Sequence, residues 1–279
     1  MQATAITRIT SISNEFVNLK TRLKRTWMAG DYDRFSRYME GSARDFYERL
    51  NVAPGSQLLD VACGSGTLAL MAARDGLYVT GVDIAGNLVE RARERANAES
   101  LLAHFEEADA EALPFEDASF DVVVSLIGAM FAPRPDRVAE ELLRVCSPGG
   151  TIAMANWTAE GFIGQMFKAI SKFIAPSGMP SPLLWGEEAT VRERLDAGLS
   201  ELSLARRFYT FSYPFPPAEV VDFFQLYYGP THQAFASLDF EGRDRLRQEL
   251  ETLWTAHNRA GAGCTTVLAE YLEVIGTRA

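Results

Sequence analysis

Cysteine and histidine are both rare in this chain, three of each among 279 residues, and neither is clustered. Cys63, Cys146 and Cys264 are odd in number, widely separated and without a Cys-x-x-Cys pair. That pattern argues against a disulfide framework and against a zinc site, and it points to a reducing compartment. No metal is expected. Positive charge is the minority sign: 27 Lys and Arg stand against 37 Asp and Glu, for a net charge of -10. An acidic chain lacks the electrostatic footprint for nucleic acid or anionic membranes, so a small molecule is the expected partner. Apolar runs are short. None approaches a membrane span, and the opening Met1-Gln-Ala-Thr-Ala-Ile-Thr-Arg8 lacks the apolar core of a signal peptide. The expectation is a cytoplasmic protein, monomeric or homodimeric, with no nucleic acid and no stable membrane association.

What is present suffices for a sizeable core: 47% of residues are hydrophobic, enough for one large α/β domain with an elaboration. Its organising stretch is Leu58–Leu70, where an apolar run ends in Gly64-Ser65-Gly66 and passes into the helix formers Thr67–Ala73. Strand, glycine turn and helix start together hold nucleotide-like ligands beyond the carboxyl end of a strand. Strands are expected at Gln57–Ala62, Tyr78–Asp83, Leu102–Glu107, Phe120–Leu126, Thr151–Asn156, Ser203–Tyr213 and Thr265–Thr277, with helices between most of them. Ahead of them, Asn14 can cap a helix to Trp27, and Asp31 can cap another running through Leu50. The alternation implies a mostly parallel sheet with helices on both faces.

Three carboxylates bear on the ligand. Asp83 closes the second strand nineteen positions after Gly64, where an acidic side chain accepts hydrogen bonds from ribose hydroxyls. That holds for S-adenosylmethionine (SAM) and NAD alike. Asp109 closes the third strand and is placed to accept from an adenine amino group. Asp60, just before the loop, suits a cationic sulfonium and ammonium better than a pyrophosphate.

At this point the chain resembles the class I SAM-dependent methyltransferases. Leu59-Asp-Val-Ala-Cys-Gly-Ser-Gly66 is similar to their first motif, and Gly81-Val-Asp83 to the acidic end of their second strand. Ala108-Asp-Ala-Glu-Ala-Leu-Pro-Phe-Glu-Asp-Ala-Ser-Phe-Asp121 resembles the ubiquinone/menaquinone (UbiE-like) branch. Further marks resemble a bacterial group within it: Thr26–Tyr32, Ala129–Pro133, Ala155–Thr158, Gly161–Gln165 and Tyr228–Thr231. The resemblance implies a Rossmann-like fold with a seven-stranded sheet, N-terminal helices and a helical cap insertion. It implies SAM as cofactor and S-adenosylhomocysteine (SAH) as product. It places the backbone of Ala62, Cys63, Gly64, Ser65 and Gly66 along the methionine part and Asp83 on the ribose. Ile84 packs on the adenine, Asp109 and Ala110 meet its edge, and Ser125 faces the methionyl end. The chain departs from relatives at Ile127-Gly128-Ala129, where Phe-Gly is common.

The implied divisions are a helical segment over 1–50 covering the cofactor site and a core over 51–213, in which 157–200 supplies lid and substrate helices. A helical cap follows over 214–263, then a last core strand over 264–279. Methyl transfer needs a general base only when the nucleophile must lose a proton. Of the histidines, His104 and His257 read as surface residues. His232, in the expected cap beside an aromatic pair, is the candidate catalytic group, against a simple loop or helix-cap role. Trp27 adjoins the cofactor. Tyr32, Met130, Phe131, Trp157, Phe162, Trp185, Tyr227 and Tyr228 are candidates to wall an apolar acceptor, with core packing the simpler role for each taken singly. The expected reaction is methyl transfer to oxygen, nitrogen or carbon of a small aromatic or polycyclic acceptor. Two alternatives remain: a SAM-binding relative with another role, and an NAD-dependent oxidoreductase.

Overall fold

The computed structural model describes residues 16–174, 178–261 and 263–279. The expected loose arm over 1–13 and the Asn14 cap lie outside these residues. Seven strands form one sheet: β1 Gln57–Val61, β2 Tyr78–Asp83, β3 Ala103–Glu107, β4 Phe120–Leu126, β5 Cys146–Trp157, β6 Leu199–Tyr213 and β7 Thr265–Arg278. Their order is β3-β2-β1-β4-β5-β7-β6. All run parallel except β7, which is antiparallel to both β5 and β6. Chain order reverses between β1 and β4, so crossovers leave to opposite sides and open a crevice beyond those two carboxyl ends. The apolar runs Leu58-Leu59 and Val122–Val124 are fully buried there, as strands covered on both faces must be.

Helices α4 Thr67–Arg74, α5 Gly86–Ala98 and α6 Pro135–Val145 make the crossovers. Ahead of the sheet, residues 16–28 are helical (α1), followed by α2 Tyr32–Ser36 and α3 Glu40–Leu50. After β5 come α7 Phe162–Ser171 and α8 Glu188–Leu195, and the chain between β6 and β7 carries α9 Pro217–Tyr227, α10 Gly229–Ala236 and α11 Phe240–His257. Among the described residues, no helix is long and apolar enough to cross a membrane.

Three departures from the sequence expectation have local causes. Asp31 does cap, its Oδ1 accepting from Arg34 N at 3.1 Å, but the helix breaks into a 3-10 turn at Arg37–Met39. There the Met39 carbonyl is taken by the Tyr209 hydroxyl of β6 at 2.7 Å. The fifth strand starts at Cys146, ahead of the expected Thr151, because Ser147–Gly150 stays in the ladder as an irregularity opposite Asp121, between the Phe120–Cys146 and Val122–Thr151 pairs. The third is α10, a separate helix within the expected helical cap; its Pro230 occupies the first turn, where a missing N–H costs nothing.

Candidate cofactor and acceptor site

The glycine loop is strained where it meets the crevice. Ala62 (φ 60), Gly64 (φ 55) and Gly66 (φ 81) all take left-handed conformations, and so does Ile127 (φ 56) at the end of β4. A β-branched residue there is an outlier of the kind that clusters at ligand sites. The two strained turns lean on each other. A Cβ added to Gly128 would lie 2.5 Å from the Ala62 Cβ, so only glycine lets them touch. The loop is also tied to β2: Cys63 N donates to Val82 O at 2.9 Å, and Gly64 N donates to Asp83 Oδ2 at 2.9 Å. The other Asp83 oxygen accepts from Ala85 N at 2.8 Å.

A cleft with about 1110 Å³ of unfilled space lies over these turns. Of the sequence-expected cofactor residues, Trp27, Asp60, Ala62, Cys63, Gly64, Ser65, Asp83, Ile84, Asp109 and Ala110 line it. Two do not. Gly66 caps α4, and its α-carbon faces Phe105 and Ala92. The Ser125 hydroxyl donates to Val61 O at 2.8 Å and accepts from Ala129 N at 2.9 Å, so it ties β4 to β1 instead of facing a ligand.

The electrostatics of the cleft are those of a site for a cation. Asp60 is buried, its Oδ2 accepting from Ala69 N at 3.2 Å. Burial pushes its carboxyl up to about 7, against the lowering effect of that hydrogen bond, and nearby Asp83 adds to the rise. Burial also raises Asp83, while the Ala85 and Gly64 amides oppose the rise and Glu107 adds to it. Neither carboxylate has an ion-pair partner among the described residues. At the far end, Asp109 Oδ1 accepts from Glu111 N at 2.9 Å, and Lys20 of α1 bonds to Asp109 Oδ2. Lys20 also meets the buried Glu111 at 2.5 Å, which in turn takes Arg134 Nε at 2.7 Å. Lys20 and Leu23 line the cleft, so α1 covers the end that Asp109 lines. Sequence reading missed Lys20 because a lysine on a polar helix face gives no local signal.

A second chamber, with about 310 Å³ of unfilled space, shares Trp27, Tyr32, Met39, Ile127 and Phe131 with the first. Trp157, Tyr228, Phe35, Phe211 and Phe224 add to its wall. The motifs that mark the bacterial group converge here although they lie far apart in sequence. A Cβ at Gly229 would fall 2.1 Å from Thr26 O, and one at Gly30 would fall 2.6 Å from Tyr227 O. This glycine seam, with Asp31 N donating to Tyr227 O at 3.1 Å, brings Trp27 within 5.9 Å of both the Tyr32 and Tyr228 rings.

Other expected acceptor residues sit elsewhere. Phe162 packs on Trp254 at 4.5 Å, and Trp185 and Tyr227 are each covered by an arginine, Arg194 and Arg34, both at 4.6 Å. Met130 is buried in the core. His232 lines neither cavity; its Nδ1 is 3.0 Å from Gln225 O, a contact that packs α10 against α9. Tyr209, Phe35 and Phe211 were missed, since only the tertiary fold brings them to the site.

Residues 59–154 match the family described as "Methyltransferase domain". An uncharacterised Mycobacterium tuberculosis H37Rv protein, Rv1405c, is 39% identical over 216 residues, covering 76% of this chain and 78% of its own. The chain belongs to the class I SAM-dependent methyltransferases. Methyltransferase GfsG of Streptomyces halstedii is 36% identical over 134 residues, 47% of this chain and 48% of its own. In fold, the methyltransferase is similar to Haemonchus contortus phospholethanolamine N-methyltransferase 2, solved with S-adenosylhomocysteine. That match has a TM-score of 0.57 at 18% identity, covering 85% of this chain and 52% of the other. The cofactor of the methyltransferase is SAM.

Proposed function

We propose that this methyltransferase moves a methyl group from SAM held in the large cleft to a small, apolar acceptor held in the aromatic chamber. The acceptor, aromatic or polycyclic, offers oxygen, nitrogen or carbon. The observation that carries this reading is the junction of the two spaces. A cleft with two buried carboxylates shares Trp27, Tyr32, Met39, Ile127 and Phe131 with a chamber walled by rings. The cleft fits the cofactor: a net cation meets the buried Asp60 beside the glycine loop, where the pyrophosphate of a nicotinamide cofactor would be repelled.

In this reading Asp83 accepts from the ribose hydroxyls while keeping its bond to Gly64 N, because each carboxylate oxygen has a second lone pair. Asp109 and Ala110 take the adenine edge, Ile84 packs on its face, and the backbone of 62–65 follows the methionine part. Trp27 of α1 covers the space between the two ligands and keeps water out. Bound in the cleft, SAM supplies an electrophilic methyl group on a sulfonium. The residues of the chain then contribute alignment and exclusion of water more than proton chemistry. Residues 1–50 serve as the cover of the cofactor site, 51–213 as the core, 214–263 as a cap walling the chamber, and 264–279 as the strand that completes the sheet. Three unpaired cysteines fit a cytoplasmic location. Release of labelled methyl from SAM with a panel of apolar phenols, amines and enolisable ketones tests the reading. Transfer to one class supports it, and SAM binding without transfer to any would assign the fold another role.

A further inference from the structure

The reading of the two cavities leaves open which atom accepts the methyl group, and the chamber walls bear on that choice. Side chains lining it are aromatic or aliphatic. Their polar atoms are the indole N–H groups of Trp27 and Trp157 and the hydroxyls of Tyr32 and Tyr228. Neither hydroxyl has a protein hydrogen-bond partner among the described residues. Both phenols are held protonated by burial, with Asp83 adding to the effect at Tyr32 and Tyr32 at Tyr228. Among the described residues no carboxylate or histidine lines the chamber, and His232 is turned to the Gln225 carbonyl. The chamber therefore offers no group to take a proton from an alcohol or phenol. Its ring faces carry negative potential, which disfavours a bound phenolate or enolate. An anion without a partner in such surroundings is expensive.

A neutral amine escapes every one of these objections. We infer, resting on the methyltransferase reading above, that the acceptor is an uncharged amine on an apolar body. Its nitrogen lone pair forms the new N–C bond as the S–C bond breaks and sulfur keeps that bond's electron pair. The positive charge passes from sulfonium to ammonium, leaving a neutral thioether, so no ion pair is created or destroyed in the dry chamber. A tertiary amine ends as a quaternary ammonium; a primary or secondary amine gives up its N–H proton to solvent after release. The rings that disfavour an anion stabilise the cationic product. The free Tyr32 and Tyr228 oxygens can accept an N–H of a primary or secondary amine and so turn its lone pair toward the methyl group. A thioether or a tertiary amine would conserve charge equally but has nothing to donate to those oxygens, so the two hydroxyls favour a primary or secondary amine.

The test uses full-length protein saturated with SAH, titrated calorimetrically with benzyltrimethylammonium, its uncharged carbon isostere 2,2-dimethylpropylbenzene, and phenylacetate. The expected order is cation, then isostere, then anion, with the cation roughly two- to thirtyfold tighter than the isostere. Tyr228→Leu, which lies outside the cofactor cleft, should reduce that preference while SAH binds as before. A packing role alone would weaken cation and isostere equally. Isostere or anion binding as tightly as the cation, or no binding of the cation, would overturn the amine assignment. Failure of SAH itself to bind would instead overturn the methyltransferase reading.

Discussion

Asp60 is a charged group kept where charge is unfavourable, and its replacement by asparagine should make the empty protein more stable. Its carboxyl is raised from 3.8 to about 7 in the fold. A folded-state pKa above the unfolded value means that the native state binds the extra proton between those two limits. The stability this confers is complete below the unfolded pKa and is lost as pH rises through 7. The shift of about three units sets a ceiling of roughly 4 kcal/mol on that loss. An asparagine at position 60 keeps an oxygen for Ala69 N and has no charge to desolvate. Asp60→Asn should therefore come closest to the parent at the acid end, near pH 4, already exceed it somewhat at pH 5, and lead by about 1–4 kcal/mol at pH 8. In a chain of this size that is a rise of several degrees in Tm. Cofactor affinity should move the other way, because a cation then enters a cleft with one carboxylate fewer. In the parent, SAM binding near pH 7 should release protons as the cation pulls Asp60 into its charged form. Thermal melts from pH 5 to 8, with titrations in buffers of different ionisation enthalpy, check both. A Tm difference that stays flat across that range, or a parent more stable at pH 8, would refute the reasoning.

Three further outcomes follow from the same geometry. Asp83→Ala removes acceptors for the ribose and for Gly64 N, and should weaken SAH binding by roughly ten- to a hundredfold, read by calorimetry. Lys20→Ala leaves Glu111 neutralised by Arg134 but frees α1 from Asp109. It should cost about 1–2 kcal/mol and expose α1 to limited proteolysis, and unchanged cleavage would argue against the latch. Gly128→Ala puts a methyl against the backbone and Cβ of Ala62 and should destabilise by about 1–3 kcal/mol in denaturant titrations, with loss of SAH binding.

The cofactor half of the site was legible in the sequence because its signals are local. Asp60, the glycine turn and Asp83 lie at the ends of adjacent parallel strands, and strand ends follow from the apolar runs that precede them. Asp109 follows the same rule on β3. The acceptor half was legible only in its motifs. Trp27, Tyr32 and Tyr228 are brought together by glycine contacts, Gly30 on Tyr227 and Gly229 on Thr26, that no sequence period announces. Phe35, Tyr209 and Phe211 alternate or recur as ordinary core residues would, so nothing set them apart. His232 stands out in sequence for its aromatic neighbours, yet on α10 its ring meets the Gln225 carbonyl, a packing partner that no local pattern announces. Ser125 was placed correctly on its strand but turned inward, since the Ala129 amide and Val61 carbonyl offer it better partners than a cavity does.

The central claim is that the cleft over Asp60 and Asp83 holds SAM. Calorimetric titration of the purified protein with SAH tests it most directly. One-to-one binding that is weakened by Asp83→Ala and retained in Tyr228→Leu is the result expected. No heat with either SAH or SAM, or affinity indifferent to Asp83, would contradict it.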